Sequence, residues 1–126
     1  MYKLLFIHPD QKLIQLYRQL LAQHFLIDSA QDGLAGLRRI RFYRPEVIIS
    51  DYHLPKLSGL SLLKFVRQQP HLISTPFIFL SNHPDVESAL AFGANDWVPQ
   101  KLASPEMLLD KIYQHLKLNV KLLNRS

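Results

Sequence analysis

The segment Val47-Ile48-Ile49-Ser50-Asp51 limits the available folds more than any other stretch of this chain. A β-branched apolar run without polar alternation predicts a strand covered on both faces, as inside a parallel sheet. The run ends at a carboxylate. In an open α/β sheet, ligands and chemistry gather just beyond the carboxyl ends of the strands, so Asp51 falls where function collects. Asp also opens turns well, and that plainer reading stands beside the first. Pro55 and Gly59 then punctuate a loop ahead of the amphipathic run 60–67.

The remaining chain alternates two periodicities. Residues 3–7 make a short apolar strand, broken by His8-Pro9-Asp10, after which Leu13, Ile14, Tyr17, Leu20 and Leu21 recur at helical spacing. Phe25-Leu26-Ile27 predicts a second strand closing in Asp28-Ser29. Gln31-Asp32-Gly33 leads into a helix with Leu34, Leu37 and Ile40 inward and its arginines outward, stopped by Pro45. Leu60, Leu62, Leu63 and Val66 form the apolar face of a third helix, which ends near Pro70. Residues 76–80 make a fourth strand ending at Ser81. Residues 84–92 make a short helix closed by Gly93 as a left-handed cap, and Trp97-Val98 a fifth strand. Ser104-Pro105-Glu106 reads as cap, first-turn proline and acidic first turn of a last helix, with Met107, Leu108, Ile112 and Leu116 facing in. Five strands alternating with five helices, joined by right-handed crossovers, give an α/β fold. It is a doubly wound five-stranded parallel sheet with helices on both faces.

A length of 126 residues predicts one domain with a real core, and 48% hydrophobic with 20% charged residues is the balance of a globular protein. We expect residues 1–117 to be that domain and 118–126 to extend the last helix or begin a linker. No apolar run approaches the roughly 18 residues a membrane span needs. Residues 1–7 are too short an apolar start for a signal peptide. The chain has no cysteine, hence neither a disulfide framework nor a thiolate site, which suits a cytoplasmic location. Much of the net charge of +5 comes from Arg38, Arg39, Arg41 and Arg44, a pattern that usually marks a solvated helix face.

The spacing Asp51, Pro55, Gly59 behind an apolar strand resembles the phosphoacceptor loop of response-regulator receiver domains, the family of the bacterial chemotaxis regulator. The resemblance covers about residues 3–117. It implies the flavodoxin-like or CheY-like strand order 2-1-3-4-5 and a role in two-component phosphorelay signalling, with Asp51 taking a phosphoryl group from a histidine kinase or phosphotransfer protein. It further implies Ser81 as the switch hydroxyl that turns toward the phosphoryl group, although a Ser at a strand end also caps a following helix. Trp97 would be the switch aromatic, or else a half-buried packing residue. For the phosphate-pairing lysine, counting from Gly93 lands on Gln100, and counting back from Ser104 lands on Lys101. We assign Lys101, because an ammonium stabilises phosphoryl charge and an amide does so poorly.

The chain departs from the family at the end of the first strand, where receivers carry two adjacent carboxylates that hold Mg²⁺. Here stand His8 and Pro9, with Asp10 one step later. Asp10, Asp51 and the His53 carbonyl would then hold Mg²⁺ weakly at best, and phosphorylation would be slow. His8, Pro9, Asn82 and His83 are expected to line the pocket. The three histidines His8, His53 and His83 leave three readings open. They could form a zinc-type site, His8 could supply positive charge beside Asp51 when protonated, or all could be loop residues facing water. The alternative function is a phosphorylation-independent interaction module that dimerises through the 84–117 face. A phosphatase-like enzyme lacks a second carboxylate just after Asp51. Direct nucleic-acid binding lacks any motif beside the arginines. The expected protein is therefore neither an enzyme nor a nucleic-acid binder.

Overall fold

The computed structural model describes residues 1–123, with side chains described to residue 117. The elements run β1 (Lys3–Ile7), α1 (Gln11–Leu21), β2 (Leu26–Ala30), α2 (Gly33–Tyr43), β3 (Val47–Ser50), α3 (Gly59–Gln68), β4 (Phe77–Ser81), α4 (Val86–Ala91), β5 (Asp96–Pro99), a 3-10 turn (Gln100–Leu102) and α5 (Pro105–Leu123). The strands form one parallel sheet in the order β2-β1-β3-β4-β5. Side chains alternate across the sheet into two cores. Leu4, Phe6, Val47, Ile49, Ile78 and Leu80 meet Ile14 and Tyr17 of α1 and Leu108 and Ile112 of α5. Leu5, Ile7, Ile48, Phe77 and Phe79 meet Ile40 of α2, Leu62, Leu63 and Val66 of α3, and Ala89 of α4. α5 runs without a break to Leu123, so residues 118–123 extend the last helix; residues 124–126 lie outside the described residues.

Short polar side chains start the helices. Asp10 caps α1 by accepting from the N–H groups of Lys12 and Leu13, Asp32 caps α2 through Ala35, and Ser58 caps α3 through Ser61. Ser104 accepts from Met107 at the start of α5. Each such bond satisfies an N–H that the helix itself leaves free, and is worth about 1 kcal/mol.

Three details differ from the periodicity. Phe25 is not in a strand: its N–H bonds back to the Leu21 carbonyl, and the ring is fully buried below the last turn of α1. β2 instead takes in Asp28 and Ser29. As an edge strand it tolerates polar side chains, and here they pair with Arg39 and Arg18 from the flanking helices. Leu34 is exposed, because α2 turns Gly36 and Ile40 to the sheet and Gly33 to the loop at Leu57. A Cβ on Gly36 would lie 3.0 Å from the Ile7 side chain, so close approach and not bulk marks that face. Met107 is also exposed, since the stripe Leu108, Ile112, Leu116 leaves it off the buried side.

Two polar clamps tie the far edge of the sheet. Arg67 of α3 donates to the carbonyls of Gly93, Leu72 and Thr75 and to the side-chain oxygen of Asn95, which also accepts from the Phe77 N–H. Asp96 accepts from His115 at 2.9 Å and pairs with Lys111 at 3.4 Å, joining β5 to α5. Burial pushes the Asp96 carboxyl up, but the N–H groups of His115 and Trp97 and the Lys111 ammonium outweigh it and hold it below the usual carboxylate range.

Gly59 begins α3 with its N–H on the Tyr52 carbonyl, and a Cβ there would overlap the Asp51 carbonyl oxygen. Gly59→Ala should therefore cost about 1–3 kcal/mol in urea unfolding. Gly36→Ala meets only a movable side chain and gains helix propensity, so it should stay within about 1 kcal/mol of the parent. Asp96 gives a pH signature. A carboxyl held low when folded contributes stability that is complete above its unfolded value near pH 4 and is lost as pH falls through the folded value. Asp96→Asn should lower stability at neutral pH and flatten its decline below about pH 4, read from urea midpoints across pH.

Candidate functional site

Parallel pairing delivers the ends of β1, β3 and β4 to one edge, where His8, Asp51 and Ser81 sit at or just past the last paired residues. All three are buried, at 3%, 9% and 2% exposure. Asp51 donates its backbone N–H to the Ile7 carbonyl, and His8 donates its own to Ala30, so the sheet ladder itself places the two residues. The carboxylate receives little: the His53 N–H lies 3.4 Å from Oδ1 and the His8 Nε2 3.4 Å from Oδ2. Both oxygens keep lone pairs free for chemistry.

The state of His8 follows from its neighbours. The backbone N–H of Asp10 can only donate, and it points at His8 Nδ1 from 3.1 Å. Nδ1 therefore accepts, and the ring proton is on Nε2, where it donates to Gln100 Oε1 at 2.8 Å. These bonds fix the tautomer and give the Nε2 proton to Gln100, with Asp51 Oδ2 3.4 Å from the same nitrogen. The three histidines do not all face water: His8 is buried, and His83 stacks on Tyr52 at 4.5 Å, while His53 is exposed. No group of three His, Cys, Asp or Glu side chains among the described residues is arranged to hold a metal ion.

Ser81 accepts the His83 N–H through Oγ, which closes the loop after β4; the N-cap of α4 is Asp85. Asn82 accepts the Lys101 N–H and ties this loop to the turn after β5. Tyr52, directly after Asp51, donates its hydroxyl to Asp85 at 2.9 Å and packs against Phe79, His83 and Trp97. Burial first, and then the Asp85 carboxylate, push the Tyr52 phenol above its ordinary value. Trp97 is half-buried with its ring 5.2 Å from Phe79 and 5.5 Å from Tyr52. The periodicity gave no notice of the Tyr52–Asp85 bond. The signal available was the hydroxyl itself, which needs a partner once its ring is buried.

Two expected site residues stand elsewhere. Lys101 is exposed, and among the described residues it makes no ion pair with Asp51; it lines a cleft with Ser81, His83 and Trp97. Gln100, set aside on chemical grounds, is the one that reaches the pocket, because the 3-10 turn points it toward His8. Asp10 commits its carboxylate to the start of α1. This donor set does not fit Mg²⁺, which demands hard oxygens in near-octahedral array. Pro9 offers no side-chain ligand, Asp10 is a helix cap, and His8 presents an N–H donor where an oxygen is needed.

Residues 4–113 match the response regulator receiver domain family. The transcriptional regulatory protein DltR of Streptococcus agalactiae is 34% identical over 110 residues, which is 84% of this chain and 48% of that protein. A probable cyclic di-GMP phosphodiesterase of Vibrio cholerae is 30% identical over 112 residues, 86% of this chain and 25% of that protein. The structure of the chemotaxis response regulator CheY4 of Vibrio cholerae superposes with a TM-score of 0.81 at 29% identity, covering 91% of this chain and 98% of that one. The chain thus spans about half or less of the length of these two curated relatives.

Removing the Tyr52 hydroxyl should free the loop that carries Ser81's neighbours. Tyr52→Phe is expected to speed amide exchange across residues 82–86 and to leave β1 and β3 unchanged. Peptide-resolved hydrogen–deuterium exchange checks it, and a uniform change over the whole chain would instead indicate global destabilisation.

Proposed function

The chain belongs to the response regulator receiver domain family, and from that premise we propose that Asp51 accepts a phosphoryl group, slowly and without material help from Mg²⁺. Receiver domains work in two-component signalling with histidine kinases or phosphotransfer proteins, and we take one of these as the donor. An Asp51 carboxylate oxygen attacks the phosphorus of the donor's phosphohistidine. The P–O bond forms as the P–N bond breaks, and the donor imidazole leaves as a neutral base after taking a proton. The product is an acyl phosphate on Asp51.

The observation that carries this reading is that Asp51, just past the end of β3, and Ser81, the last residue of the adjacent parallel β4, are both buried at one sheet edge. Phosphoryl transfer is mainly positioning and charge neutralisation. Positioning is supported by the ladder. Neutralisation is left to the His8 N–H, the Ser81 hydroxyl and the Lys101 ammonium, which shares the Ser81 cleft. In this reading Ser81 and Trp97 respond to the new group, with Asn82 and His83 at the rim. A cytoplasmic location belongs to the same proposal and rests on the cysteine-free sequence. So does homodimerisation through the 84–117 face, which exposes Leu90, Phe92, Leu102 and Met107. The relatives do not favour a phosphorylation-independent module.

Incubation with a small acyl-phosphate donor, followed by intact mass, should give a single phosphate adduct. Its rate should change little when Mg²⁺ is replaced by a chelator, and Asp51→Asn should abolish it. An adduct that survives Asp51→Asn, or none from either the small donor or a phosphotransfer protein, would overturn the assignment.

A further inference from the structure

Phosphoryl acceptance by Asp51 does not require the arrangement found around His8. The ring is buried and both its nitrogens are engaged, Nδ1 by the Asp10 N–H and Nε2 by Gln100. A ring held at both nitrogens has one orientation and one tautomer. That orientation gives the Nε2 proton to Gln100 Oε1 at 2.8 Å and sets the same nitrogen 3.4 Å from Asp51 Oδ2. We infer that His8 is a positioning residue that occupies, toward the Asp51 carboxylate, the place other receivers give to a divalent cation, so that this pocket is set without one. The inference rests on the family membership and on Asp51 as the working residue.

Gln100 and the Asp10 backbone hold His8 from its two sides. The Nε2 proton needs an acceptor, which a carboxamide oxygen supplies and a lysine ammonium, a donor only, cannot. A lysine at 100 would leave the imidazole N–H competing with an ammonium for the same carboxylate. Gln100 instead takes the proton's hydrogen bond and leaves Asp51 with the weaker, longer contact. On the other side, the Asp10 backbone holds Nδ1 while its carboxylate caps α1. The three residues after β1 are thus spent on an imidazole, a turn and a helix cap, and no acidic pair remains.

Long-range ¹H–¹⁵N correlation spectra of the ¹⁵N-labelled chain at neutral pH should show His8 as the Nε2–H tautomer. Thermal melts of the wild-type chain should be the same in MgCl₂ and in EDTA. In His8→Asp/Pro9→Asp, which restores oxygen ligands beside Asp51, Mg²⁺ should raise Tm saturably, by about 3 °C or more at tenfold Kd. Adding Asp51→Asn should remove that response. A saturable Mg²⁺ shift in the wild type that Asp51→Asn abolishes, a His8 ring protonated at Nδ1, or a folded variant that ignores Mg²⁺ would each overturn the inference. If the variant does not fold, the wild-type tautomer and Mg²⁺ titration decide it. Failure of Asp51 to take phosphate in the donor assay would overturn the functional reading and leave these readouts as they stand.

Discussion

The pocket depends on the parallel pairing of β3 between β1 and β4. Ile7 stands opposite Ser50 and Ser50 opposite Phe79, so the next residues on β1 and β3, His8 and Asp51, leave the sheet side by side. The side chains do not find each other across a loop; backbone hydrogen bonds bring them together before any side-chain contact forms. A one-residue slip of β3 would send Val47 and Ile49 to the other core and turn Asp51 away from its partners. Burial on both faces makes that slip costly, because apolar side chains fill both sides of the strand. The register that supplies the chemistry is therefore enforced by the hydrophobic core, at a distance from it.

Much of this architecture was legible because strand and helix periods differ and because Asp51 and Ser81 end apolar runs. What escaped did so for definite reasons. Periodicity marks large side chains, so it assigned Leu34 inward where α2 in fact lies close on Ile7 through Gly36. It also counted Phe25 as strand, since a buried ring after a helix looks the same as one in a sheet. The pocket was harder. His8 and Gln100 are 92 residues apart in sequence, and no local pattern links them. The choice between Gln100 and Lys101 turned on which residue was chemically suited to a phosphate, whereas the 3-10 turn had already fixed which could reach. Acid at position 10 looked like a pocket ligand and is a helix cap, a role that Asp fills equally well.

Electrostatically the pocket is unusual for its size. A nearly buried carboxylate has the His8 ring nitrogen and a backbone N–H 3.4 Å away, with Lys101 on the rim of a neighbouring cleft. Neutral donors stabilise an anion less than a bound cation does, and they also hold it without the long-range field of a full charge. Incoming negative charge meets directional dipoles. Orientation of a few hydrogen bonds, more than net charge, then governs what Asp51 can accept.

Arg67 gives α4 a mechanical character. Its guanidinium gathers the end of α3, the start of β4 and the Gly93 turn into one fixture, and Gly93 itself has a positive φ of 100°. The opposite end of α4 has no side-chain cap and is tethered through Asp85 to Tyr52. The six residues of α4 thus lie between two polar fastenings, the Arg67 network just past its C-terminal end and the Tyr52–Asp85 bond at its N-terminal end, with Tyr52 one residue along the chain from Asp51.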